Sequence, residues 1–67
     1  MKLSELIFVL PACANIEIFN REKPNVSLYI GNVAEFYWIG KEQVKSKEVY
    51  SLNFNREKNY FEIIVEE

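Results

Sequence analysis

Val49-Tyr50-Ser51-Leu52-Asn53-Phe54 and Tyr60-Phe61-Glu62-Ile63-Ile64-Val65 flank the polar link Asn55-Arg56-Glu57-Lys58-Asn59. Both flanks are β-branched and aromatic and alternate with period two, which predicts a β-hairpin. The expected faces carry Tyr50, Leu52 and Phe54 on one strand, and Phe61, Ile63 and Val65 on the other.

Upstream, the same alternation returns twice. Ile16 and Ile18 alternate with Asn15 and Glu17, and Val26, Leu28 and Ile30 alternate with Ser27 and Tyr29. The polar stretch from Asn20 to Asn25 between them predicts a second hairpin. Phe-Asn-Arg-Glu-Lys occurs at 19–23 and again at 54–58. Two readings apply: a duplicated ββ unit, or chance recurrence of turn residues after an aromatic strand end. The short match, with no longer period behind it, favours the second.

Leu3, Leu6, Ile7 and Leu10 recur at helical spacing, so the chain opens with a short helix ended by Pro11. Ser4 is the expected N-cap, with Leu3 and Phe8 as a hydrophobic staple. Between the hairpins, Asn32 and Glu35 have the spacing of a capping box for a helix from about Val33 to Trp38. Gly40 suits the positive-φ position after it. Lys41 to Lys47 has the composition of a solvated loop. The predicted architecture is α+β in the order α-β-β-α-β-β: a four-stranded, mainly antiparallel sheet of two hairpins with the N-terminal helix packed on one face. A three-stranded sheet with the first strand at an edge is the alternative.

A chain of 67 residues is one domain, residues 1–67, and buries so little surface that self-association is an expected supplement to its core. With one cysteine and no histidine, a disulfide and a zinc site are excluded. Net charge is −2, all ten acids being Glu, so there is no global field for nucleic acid and no Asp for a calcium loop. Met1-Lys2, the run Leu6–Leu10 and Leu10-Pro11-Ala12-Cys13 outline a secretory or lipoprotein signal. The run is too short and Glu5 stands where positive charge belongs. A lone thiol and no long apolar stretch lead us to expect a cytoplasmic protein with no membrane association.

The chemistry of catalysis has little to work with. No histidine is present to activate Cys13 or a serine, and Cys13 itself reads as a small buried hydrophobe. Glu17 and Glu62 share the polar face of the sheet, but without a cleft they read as solvated strand residues. Gly31 and Gly40 form no phosphate loop. We therefore expect no enzyme and no cofactor.

Phe36-Tyr37-Trp38-Ile39 is the most informative cluster. Four large apolar residues in a row cannot all face one core from a two-turn helix, and exposed aromatics mark interface centres. Phe36, Tyr37, Trp38, Tyr29 and Tyr60 are the candidate interaction surface, with Val49 and Ile64 adding apolar area to the outer sheet face. Lys41, Lys45 and Lys47 are a candidate basic contact, for which Tyr29 and Tyr60 on one sheet face would be stacking platforms.

Lys2-Leu3-Ser4-Glu5-Leu6-Ile7-Phe8-Val9-Leu10-Pro11, followed by Asn15-Ile16-Glu17-Ile18-Phe19, resembles a group of small uncharacterised proteins from Firmicutes and their phages. Those open with a KLSELIxVLP helix leading into an IEIY-type strand. The resemblance covers the first 20 residues, and Ala12-Cys13-Ala14 departs from it where the group carries acids. It implies a phage or mobile-element accessory factor that sequesters or inhibits a host macromolecule, as in defence evasion. The expected partner is a protein, with a homo-oligomer as the working form. The alternatives are a sponge for a small signalling molecule at an oligomer interface, and a weak nucleic-acid-binding module using the three lysines.

Overall fold

The computed structural model describes residues 1–66. The chain runs α1 (Leu3–Val9), β1 (Asn15–Asn20), β2 (Lys23–Asn32), α2 (Val33–Ile39), α3 (Glu42–Lys45), β3 (Val49–Asn55) and β4 (Tyr60–Val65). The four strands form one sheet in the order β2-β1-β4-β3.

Both predicted hairpins are present, but they meet through a parallel pair. Ile16 lies beside Phe61, Ile18 beside Ile63 and Asn20 beside Val65. The sheet is therefore mixed, and the expectation of a mainly antiparallel sheet is corrected at its centre. The cause is the connection from Val33 to Glu48, which carries α2 and α3 across one sheet face. A short turn would have laid β3 beside β2, whereas a long helical crossover delivers it to the far edge and sets β4 parallel to β1.

The helices share one face with Ile16, Ile18, Ile63 and Val65, all fully buried. Leu3, Leu6 and Ile7 of α1 and Val33 and Phe36 of α2 complete that core. The outer face carries Glu17, Phe19, Ile30, Tyr60, Glu62 and Ile64, by alternation from these registers.

Local details depart from expectation where tertiary contacts intervene. The N-cap of α1 is Lys2, not Ser4, and the Lys2 N–H donates to the Glu5 carboxylate at 2.8 Å. Phe8 is 77% exposed, so the Leu3–Phe8 staple is not made. Asn32 caps α2 as predicted, accepting from the Glu35 N–H at 2.8 Å. Lys41 to Lys47 is not a plain loop: α3 turns within it and brings Val44 against the core. Cys13 is exposed in the turn after α1 instead of buried. A bulge at Tyr50 shifts β3, so Val49 joins Leu52 and Phe54 on the helix side.

The repeated Phe-Asn-Arg-Glu-Lys segments do one local job in non-equivalent places. Asn20 accepts from the Glu22 N–H at 2.9 Å and Asn55 from the Lys58 N–H at 3.1 Å, each closing a turn. The first ends a central strand and the second an edge strand, which is the outcome of recurring turn chemistry.

Gly40 is needed for space, not for positive φ: its φ is −63°, and an added Cβ would sit 2.5 Å from the Phe36 carbonyl oxygen. Gly40→Ala is expected to destabilise the fold by about 1–3 kcal/mol through overpacking, measured by urea denaturation.

Candidate interaction surface

The α2 residues divide by helical phase. Val33 and Phe36 turn into the core, Phe36 being 2% exposed, while Tyr37, Trp38 and Ile39 are 53%, 81% and 70% exposed. Phe36 therefore presents nothing to a partner, while Tyr37 and Trp38 lie at the surface as expected. Their neighbours lie outside the interaction surface expected from the sequence. An apolar groove of about 300 Å³ runs between α1 and α2, floored by Ile7, Leu10 and Val33 and walled by Phe8, Ala12, Ala34, Tyr37 and Trp38. The signal for Phe8 was present: it lies off the Leu3-Leu6-Ile7-Leu10 stripe.

No charged side chain of the described residues lines this groove. Glu5, Glu42 and Lys45 line the adjoining hollows beside Ser4 and Tyr37. Lys45 is committed locally: its ammonium donates to the Tyr37 carbonyl at 2.8 Å and lies 4.0 Å from the Glu42 carboxylate. Tyr37 and Trp38 pack edge to face, with ring centroids 5.8 Å apart.

Tyr29 and Tyr60 do not share a face. Tyr29 pairs with Ile18 on the helix side, its ring 4.8 Å from that of Phe36 and its hydroxyl donating to the Asn32 carbonyl at 2.9 Å. Tyr60 is half-buried on the outer face, opposite in phase to Phe61. The expected stacking platform is therefore not assembled, and Val49 also belongs to the helix side, leaving Tyr60 and Ile64 on the outer face. Of the three lysines, Lys41 is exposed, Lys45 is held by α2, and Lys47 uses its carbonyl to pair with Leu3.

Glu17 and Glu62 are neighbours across the parallel pair. Contrary to the solvated reading, Glu17 is only 8% exposed. Ser27 donates to its Oε2 at 2.5 Å, whereas its Oε1 is buried without a hydrogen-bond partner. Glu62 accepts from the Asn55 amide at 3.3 Å. Neither carboxylate lines any of the four hollows described for the molecule, and no cluster of three metal-ligating side chains occurs among the described residues. No helix of the described residues is long and apolar enough to cross a membrane.

Compared with family models, with curated proteins and with solved structures, the chain shows no match.

Two measurements check this description. Glu17→Gln keeps an acceptor for Ser27 and removes a carboxylate facing Glu62, and is expected to raise stability by about 1 kcal/mol in urea titrations. Burial, and secondarily the Glu35 carboxylate, hold the Tyr29 phenol above its usual range. Since the unfolded phenol ionises first as pH rises, this contribution is present below the unfolded pKa and is lost as pH climbs through the folded one. Tyr29→Phe is accordingly expected to flatten the alkaline limb of the stability profile, read by thermal melts from neutral pH upward.

Proposed function

We propose that this chain is a non-enzymatic binding protein that captures a protein partner in the apolar groove between α1 and α2. One observation carries the reading: Phe8 and Trp38, 77% and 81% exposed, stand on either wall of a groove with no charged lining among the described residues. Taking a large apolar side chain fully out of water is worth about 1.5–3 kcal/mol, so two such rings left in solvent supply the centre of an interface. Tyr37 adds a hydroxyl at the rim, the arrangement that gives an apolar contact its orientation.

The setting follows from the resemblance of the opening 20 residues: a phage or mobile-element accessory factor that sequesters or inhibits a host macromolecule. Its fitness for that role lies in economy, since one small core presents a ready apolar cleft without any catalytic apparatus. A nucleic-acid role is less well supported, because Lys45 is occupied and the two tyrosines face opposite ways.

Protein recovered from its source cells is expected to carry a second polypeptide in native mass spectrometry. Phe8→Ala combined with Trp38→Ala should release it while changing stability by less than about 1 kcal/mol, because both rings are exposed. The affinity should hold over a tenfold rise in salt, where phosphate contacts would lose it steeply. Retention of the partner by the double variant would refute this surface, and an added mass on the order of a few hundred daltons would select the small-molecule sponge instead.

A further inference from the structure

The sheet face opposite the helices hides a carboxylate although no helix covers it. Across its middle the strand registers place Ile30, Glu17, Glu62 and Asn53 in one row, and Ser27, Phe19, Ile64 and Ser51 in the next. Glu17 is 8% exposed with its Oε1 unpartnered, and neither it nor Glu62 takes part in an ion pair among the described residues. A buried charge is ordinarily matched by an opposite one, and like charges side by side on a sheet repel. None of the eight positions in these rows is a lysine or an arginine. The face therefore holds two adjacent anions, one of them desolvated, and supplies no counter-charge for them.

We propose that Glu17 and Glu62 receive the guanidinium of an arginine presented by a partner protein that docks on this outer face. The hydrogen bonds choose a guanidinium over a metal ion. Glu17 uses its Oε2 on Ser27 of β2 and Glu62 its Oε2 on Asn55 of β3, strands that lie on opposite sides of the central pair, so the two carboxylates turn apart. A calcium ion needs its oxygens within about 2.3–2.6 Å of one point. The planar fork of a guanidinium instead spreads its N–H donors and reaches two acceptors at once. The surroundings suit the same occupant: Ile30 is 55% exposed, and Phe19, Tyr60 and Ile64 are half-buried, an apolar bed for the aliphatic stem of arginine. The source is a protein surface, because small molecules are held in concave sites and this pair lines none of the four hollows.

With no helix over this face, Glu17 is covered by neighbouring side chains, and those rotate aside on docking. The orphan Oε1 then gains a charged donor, and the repulsion between Glu17 and Glu62 is offset. The least favourable polar arrangement of the free chain thus becomes its recognition element. This surface is separate from the groove, which lies between α1 and α2 on the other side of the sheet.

Titration of the isotope-labelled full chain with the peptide acetyl-Leu-Arg-Leu-amide, followed by amide chemical shifts, tests it. Shifts are expected at Ile30, Glu17, Glu62 and Asn53, and not at Phe8, Ala34 or Trp38 of the groove. Citrulline in place of the peptide's arginine keeps the shape and removes the charge, and should weaken binding on the order of tenfold or more. Glu17→Gln and Glu62→Gln should each do the same. Because Glu17→Gln keeps the acceptor for Ser27 and is expected to stabilise the free chain, its loss of binding is not a loss of fold. Trp38→Ala should bind the peptide unchanged, which separates failure here from failure of the groove. Acetyl-arginine-amide, lacking the leucines, should bind on the order of tenfold more weakly than the peptide. Equal affinity of the two would assign the pair to a free guanidinium compound and overturn the partner protein. Absence of any response, shifts confined to the groove, indifference to citrulline or to both glutamine variants, or displacement of the peptide by calcium chloride from the same amides would each overturn the proposal.

Discussion

The parallel contact of β1 with β4 is the constraint on which the rest of the molecule depends. Each hairpin is too small to stand by itself, because two strands in water bury too little surface to offset the entropy of ordering them. Ile18 beside Ile63, with Ile16 and Val65, makes one apolar strip from two separate hairpins, and α1 closes it with Leu3, Leu6 and Ile7. Arg21 reinforces the join from the rim. Its N–H donates to the Val65 carbonyl at 2.8 Å, its guanidinium donates to the Glu66 carboxylate at 2.9 Å, and it lies 3.9 Å from the Tyr50 ring centroid. The turn of the first hairpin is thus tied to the last strand of the second.

The same joint explains what is left exposed. A strip two strands wide is covered by α1 and α2 with Val44 of α3, and among the described residues little remains to cover β3 on the helix side or the flank of α2. Leu52 and Phe54 lie in the correct phase for a core yet stay half in solvent, because no helix passes over them. Phe8 and Trp38 are exposed for a related reason: α1 and α2 each give one face to the strip, and their facing flanks are left as a groove. Both apolar areas are therefore by-products of a minimal core.

The parallel register also creates a polar irregularity. Glu17 and Glu62 sit side by side on the outer face, where hairpin pairing alone would have kept them apart. Glu17 is screened from solvent with one carboxylate oxygen unpaired, an arrangement that costs free energy in so small a protein. Taken hairpin by hairpin, both are ordinary solvated strand positions, and it is the join between hairpins that makes them otherwise.

Local pattern was enough to read the two hairpins, the opening helix, the Asn32 cap and the exposure of Tyr37 and Trp38, because each depends on neighbours within a few residues. Alternation places side chains on a strand, helical phase assigns them to a face, and Asn before a helix accepts its free N–H wherever the helix later packs. The parallel pairing, the helical turn at Glu42–Lys45, the separation of Tyr29 from Tyr60 and the exposure of Phe8 and Cys13 were decided only by tertiary structure. Each depends on which distant segment comes to lie alongside, and that follows from the path of the Val33–Glu48 crossover over the sheet. A period of two or of 3.6 residues carries the phase of a segment but no information about its neighbour.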